Sequence, residues 1–393
     1  MDSSSKKILI IYSAVAWVVI AASVYGGRHL YLTYVKPNMP EGMAKELVKP
    51  GVLKGEGLLA KRKVFKDSSI GYVTDITTGR PVGDRFPVGV AGAKGAVFLD
   101  EKWNVESFVD FKKCECPDQI EFVDVENDWV SEFMVRSSDK GFMLLNNNGD
   151  VLWTYAKDTG ASDTATGDFD GDGRKDFAIA VYEEGIRILD GKGNEMWQIP
   201  VEDVWRVEAG DVDNDGKSEI VHYGWEGNIT AINSAGEEVG STASESEVSY
   251  FIVSRWPDID GDLHMIGCDG SPLLQRGVGG DYGKASFLVM DFNGGERARL
   301  EAPQCNEFDG MKGAFVDFNG DGWKYFIVMT SSEEWDRSAL YLYDPNGALV
   351  YHEILPYSMG EMTAVSVTGS GAEVILVGGD ETVWQYELNG KPK

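Results

Sequence analysis

In the stretch from Gly167 to Trp197, the apolar runs FAIAV and GIRILD are short and joined by a turn. That pattern predicts two strands of a hairpin rather than a helix of three or four turns. A polar loop, DFDGDGRKD, precedes the hairpin, and a second turn, DGKGN, leads to another strand that ends at Trp197. This unit recurs along the chain. The start of the polar loop can be followed at Asp75, Asp124, Asp168, Asp211, Asp258, Asp317 and Ser366. The turn between the last two strands can be followed at Asp100, Asn146, Asp190, Asn233, Asp291, Asp344 and Glu387. Asn and Gly in these turns supply the positive φ of tight hairpins. A unit of about 45 residues with four short strands has the period of a propeller blade, so the expected fold is all-β, a seven-bladed β-propeller. Trp153 and Trp197 follow the turn at matching places and are expected to pack between blades. The last unit ends at its third strand. The alternating segment GLLAKRKVFKD, upstream of the first unit, is expected to supply the missing strand and so remove an open edge.

The N-terminus changes the picture. Ile8 to Val24 is an uncharged apolar run after Lys6 and Lys7, and Tyr25 to Val35 prolongs it with further aromatic and aliphatic residues. That length can span a bilayer, and Tyr25, Tyr31 and Tyr34 resemble an interfacial belt. A cleaved signal peptide, with Ala21 and Ser23 at its cleavage site, is the alternative. The expected organisation is a cytoplasmic tail at 1–7, a transmembrane anchor at 8–35, a linker at 36–57 and the propeller at 58–393. Lys6 and Lys7 favour a cytoplasmic N-terminus, although Arg28 and Lys36 on the other flank weaken that bias. Polar loops suited to Ca²⁺, an ion abundant outside the cytoplasm, place the propeller in the periplasm or outside the cell.

Composition narrows the function classes. A net charge of −28 argues against nucleic acid, whose phosphates need a basic face. Hydrophobic content of 43% and 47 glycines against 13 prolines suit a large core with many turns. Four cysteines do not make a disulfide framework, and Cys114 and Cys116 lack zinc-type spacing, while a Cys268–Cys305 disulfide would be compatible with the chain.

The polar loops carry the candidate chemistry. Asp168, Asp170 and Asp172 alternate, Gly173 allows a sharp turn, Arg174 offers its carbonyl and Asp176 closes the loop. DVDNDGKSE repeats this with Asp211, Asp213, Asp215, the carbonyl of Lys217 and Glu219. Hard oxygens at alternate positions suit Ca²⁺. An EF-hand would need a bidentate Glu at loop position twelve, where Ile179 and His222 stand. DFNGDGWKY keeps Asp317, Asn319 and Asp321 but has Tyr325 in the closing place, and DVENDWVSE lacks the glycine, so weaker or no occupancy is expected at both.

With DFDGDGRKD, DVDNDGKSE and the blade spacing, the chain resembles the FG-GAP or VCBS repeat proteins, whose propellers include that of integrin α subunits. The run from Leu189 to Trp197 is also similar to the tryptophan-docking repeat of quinoprotein and BamB-like propellers. The resemblance implies calcium ligands at Asp168, Asp170, Asp172, Asp176, Asp211, Asp213, Asp215 and Glu219.

No H-E-x-x-H or G-x-S-x-G occurs, and the four histidines are scattered. The expectation is therefore a non-catalytic, membrane-anchored scaffold that binds protein, accessory to a membrane complex. The alternatives are a receptor or adhesin for a protein or glycan, and a polysaccharide-active or quinoprotein-like propeller enzyme. Strand direction puts the long insertions, Cys268–Ala285 and Ser331–Arg337, on the rim opposite the calcium loops. Tyr182, Trp205, Tyr223, Trp225, Arg276, Tyr282, Trp335 and Arg337 on that rim are the candidate partner-binding residues.

Overall fold

The computed structural model describes residues 49–393 apart from 79–86, 112–118, 129, 138–140, 156–160, 182–183, 202–203, 225–227, 244–250, 256–262, 269–285, 293–294, 304, 306–309, 333–335, 367–370 and 390–393. The expected anchor at 8–35 lies outside the described residues, among which no helix is long and apolar enough to cross a membrane. A compact unit starts at Pro50 and runs to the C-terminus.

That unit is an all-β propeller. Among the described residues its strands form seven antiparallel sheets. Six are blades built on four consecutive strands, lying within residues 73–110, 119–155, 161–199, 204–243, 251–301 and 310–355. Six such blades stand against the seven expected, and the remaining sheet is completed in the way the truncated last unit implied. It takes three strands from the C-terminus, between Glu361 and Leu388, and its fourth from Leu59–Lys66, which pairs antiparallel with Thr382–Leu388. The two ends of the unit therefore share one sheet.

Two further expectations are corrected. Residues Gly51–Lys54 are not linker but a fifth strand on the 310–355 blade, where Gly51 pairs with Ile354 and Lys54 with His352. The reason lies in the strand they cover. Leu349–Leu355 is buried along nearly its whole length, whereas Val151–Tyr155, the outer strand of another blade, is largely exposed. An outer strand carrying buried His352 and Glu353 needs a cover. Ser331–Arg337 is also less of an insertion than its sequence suggests, because Ser331 and Ser332 still pair with Ser338 and Arg337.

The stretch between the two N-terminal strands is fixed by backbone contact. Gly55, at φ 74°, lies so close to the Val350 carbonyl that a Cβ would sit 2.3 Å from that oxygen. Beyond it, Lys61 of the closing strand bonds Glu353 at 2.8 Å and lies over the rings of Trp384 and Tyr386. Tyr351 and Tyr386 donate their hydroxyls to the other Glu353 oxygen at 2.8 and 3.0 Å. Glu353 is buried and Lys61 exposed, so losing the lysine or the two hydroxyls would leave a buried carboxylate short of partners, and this network holds the closure.

Apolar clusters fill the seams between sheets. Phe177 and Ile179 of one blade meet Met134 and Phe142 of the blade before it, and Phe169 and Ile188 meet Val207 and Ile220 of the blade after it. Trp153 docks across a seam as its position suggests, donating Nε1 to the Gly191 carbonyl at 3.1 Å and meeting Phe177 edge-on. Val73 and Ile76 pack with Leu376 and Val383, which closes the circle.

Candidate metal centre

The polar loops join the first and second strands of their blades. Each is a nest of backbone amides around carboxylates, made possible by two residues with positive φ. At the sixth place stand Gly173, Gly216 and Gly322; at the fourth stand Gly171, Asn214, Gly320 and Asn127. The sequence reading used only the sixth place, yet Gly or Asn at the fourth is equally visible in the sequence. The second place is an apolar plug: Phe169 is fully buried, and Val125 and Phe318 are buried too.

Among the described residues, which leave out the loop start at Asp258, two loops gather three carboxylates each. Oxygens of Asp168, Asp170 and Asp176 lie within 4.8 Å of one another, and so do those of Asp211, Asp213 and Glu219. Asp172 and Asp215 stand beside these groups, each accepting a backbone N–H at 2.8 Å from Arg174 and Lys217 respectively. The closing residues, Asp176 and Glu219, are buried and accept the N–H of Phe169 at 3.1 Å and of Val212 at 2.8 Å. Burial pushes the Asp176 carboxyl up to about 6, and the charges of Asp170 and Asp172 add to the push. Glu219 is raised in the same way, by burial first and then by Asp213 and Asp215. Converging carboxylates that raise one another's pKa on an all-oxygen donor set fit a hard divalent cation, and Ca²⁺ is the metal such donors suit. These six carboxylates would hold it, with the Arg174 and Lys217 carbonyls as the expected further donors.

The degenerate loops differ. The Asp317 carboxylate accepts four backbone N–H groups, from Asn319, Gly320, Asp321 and Gly322, at 2.7–3.2 Å. Burial pushes Asp317 up, but these amides together hold it below the usual carboxylate range. Asn319 and Asp321 are not gathered with it into a group of three acids among the described residues. In the Asp124 loop, Glu132 keeps the closing bond, accepting from Val125 at 3.2 Å, and burial raises its pKa.

One anchor from the sequence is misplaced. Asp75 does not begin a loop; it lies inside the strand Val73–Thr78, on the inner side of the propeller. Its carboxylate accepts the N–H of Phe122, in the neighbouring blade, at 2.5 Å. Burial, then Glu361 and Glu121, push it up to about 8. Asp163 makes the equivalent bond to Val207 N–H at 3.1 Å. Lys312 pairs with Glu361 at 3.2 Å and is raised by it. The first strands of the blades thus staple one another with charged groups, which an alternating pattern read one strand at a time did not reveal.

Of the candidate partner-binding residues, Tyr182, Trp225, Arg276, Tyr282 and Trp335 lie outside the described residues, as does the side chain of Trp205. Tyr223 is half-buried against the cluster of Val221 and Ile229. Arg337 donates to the carbonyls of Asp336 and Pro356 at 2.7 and 2.9 Å, which ties two loops of its rim together. Cys305 is fully buried and disulfide-bonded.

Residues 168–222 match the family model described as an FG-GAP-like repeat, a span that contains both acid-gathering loops. The chain thus combines an FG-GAP-like repeat with a β-propeller fold. No curated protein matches the sequence. Among solved structures, the chain is similar to BBS1N in its complex with ARL6DN, with TM-score 0.56 and 13% identity over 84% of this chain and 99% of that one. It is also similar to Chaetomium thermophilum Raptor, with TM-score 0.54 and 12% identity over 90% of this chain and 31% of Raptor. The Neurospora crassa Pan2 WD40 domain gives TM-score 0.52 and 10% identity over 85% and 97%. Likeness at these identities shows a shared fold.

Proposed function

We propose that the chain is a seven-bladed, calcium-stabilised propeller that serves as a non-catalytic protein-binding scaffold, anchored by its N-terminal segment with the propeller outside the cytoplasm. The observation that carries the calcium part is the position of the two acid groups. Each sits where one blade's loop is hydrogen-bonded to the next, as in Ser218 N–H to the Asp168 carbonyl at 2.8 Å, so an ion there braces the ring. The buried disulfide of Cys305 supports an oxidising compartment. The apolar run at 8–35 supports the anchor. The scaffold role is supported by the fold: the similar BBS1N was solved in complex with another protein, ARL6DN.

The test is co-purification of the full chain after mild detergent extraction. A stable membrane-protein complex is the expected result. Recovery of only a soluble protein or a glycan ligand would favour the receptor reading, and a chain found wholly in the aqueous fraction with its N-terminus removed would overturn the anchor.

A further inference from the structure

Three consecutive blades present their polar loops side by side, and backbone bonds link each loop to its neighbour. Ser218, which precedes the closing Glu219 of the second acid group, donates its N–H to the carbonyl of Asp168, the first carboxylate residue of the first group, at 2.8 Å. Lys217, whose own carbonyl is a candidate donor in the second group, lays its side chain on Gly171, between Asp170 and Asp172. A Cβ on that glycine would lie 2.9 Å from Lys217 Cε. On the other side, Lys175 donates its N–H to the Val125 carbonyl at 3.1 Å, and Asn127 donates its side-chain amide to the Gly173 carbonyl. Arg174 Nε lies 3.4 Å from Glu126. The Asp317 loop is held differently, by its own amides and by Glu373 of the composite sheet, which accepts from Asp317 N–H at 2.7 Å.

We infer that the two acid groups bind their cations as one positively coupled pair, with the Asp124 loop serving as a fixed brace for the first. The inference rests on the calcium reading given above. The physical reason is shared ordering. Seating an ion against Glu219 fixes the segment that includes Ser218 and Lys217. That segment grips the backbone at Asp168 and Gly171, so the first loop has less freedom left to lose when its own ion arrives. Coupling of this kind is reciprocal by thermodynamic necessity, and its usual size is a factor of about 5–150 in affinity. Six carboxylates and solvent screening moderate the repulsion between the two ions.

Calorimetric titration of the full chain with calcium chloride tests it. The expected isotherm has two ions per chain and a Hill coefficient above 1. Asp213→Ala should leave one ion bound, at least fivefold more weakly than the second ion of the unaltered chain. Asp170→Ala should weaken the other site by the same factor, since reciprocity demands it. Ser218→Pro removes the linking N–H but no carboxylate, and should keep two ions while bringing the Hill coefficient to 1. The Asp170 and Asp213 pair keeps the test decisive if the proline variant does not fold. Asp321→Ala, in the Asp317 loop, should change nothing. Two ions bound independently, with single-site variants matching the unaltered affinity, would overturn the coupling alone; no calcium binding at all would overturn the calcium reading beneath it.

Discussion

The loops at 168–176 and 317–325 share their turns, their positive-φ places and their first carboxylate, yet their electrostatics run in opposite directions. In the first, the closing residue is the buried Asp176, which crowds against Asp170 and Asp172 and is pushed up. In the second, the closing residue is Tyr325, which packs edge-on against Phe318 at 5.5 Å, and Asp317 is held low by four amides. The first carboxylate is held by amides in both loops, Asp168 by those of Gly171 and Gly173, so the crowding in the first loop enters with its closing acid. A self-repelling loop is stable when a cation neutralises it; a self-satisfied one has no need of the cation.

Removal of the cation gives the largest effect. At calcium a hundredfold above its dissociation constant, each site contributes about 2.7 kcal/mol. Chelation should therefore lower the melting temperature by roughly 10 °C. Asp176→Asn combined with Glu219→Gln should abolish that shift, and in chelator should melt no lower than the unaltered chain, because the repulsion has gone. A chelator shift that survives both substitutions would break the comparison.

A smaller loss, and one indifferent to calcium, is expected at the other loop. Asp317→Ala leaves the four amides without their acceptor and should cost about 1–2 kcal/mol, or a few degrees, equally in calcium and in chelator. Differential scanning calorimetry in both buffers checks this, and a calcium-dependent difference would mean that the Asp317 loop is a metal site after all.

The smallest change in stability carries the sharpest distinction. Tyr325→Asp restores a closing carboxylate at the price of the contact with Phe318. Melting in calcium should move by no more than about 2 °C, while calorimetric stoichiometry should rise from two ions to three. If it stays at two, the closing residue is not what separates the two kinds of loop.

Much of this arrangement was legible from the sequence because it is local. The nine-residue spacing fixes which carboxylates face one another, and the Asn or Asp that opens each last hairpin makes the same turn wherever it is described. Asp100, Asn146, Asp190, Asn233 and Asp344 all accept the N–H groups two and four residues on. What was not legible depends on pairs far apart in the chain. Asp75 looked like a loop start because only its partner Phe122 N–H, in another blade, shows that it belongs to a strand. Gly51–Lys54 carries too short and too exposed a pattern to read as a strand, since its place is set by the buried strand that it covers. The links between loops run through backbone groups, which leave no trace in side-chain identity.

The shared last sheet also sets a timetable. Arg62 and its partner Gln385 are 323 residues apart, so a ribosome adding about 5–20 residues per second needs roughly 15–65 s between making one and making the other. Throughout that interval the segment Leu59–Lys66 lacks the partner strand that it has in the folded chain. Its composition suits the wait: Lys61, Arg62, Lys63 and Lys66 line a strand whose apolar residues are few, and charge of this density discourages pairing with other nascent chains. The lysines that suit the wait are the ones that, once the last strand emerges, hold Glu353 and stack on Trp384.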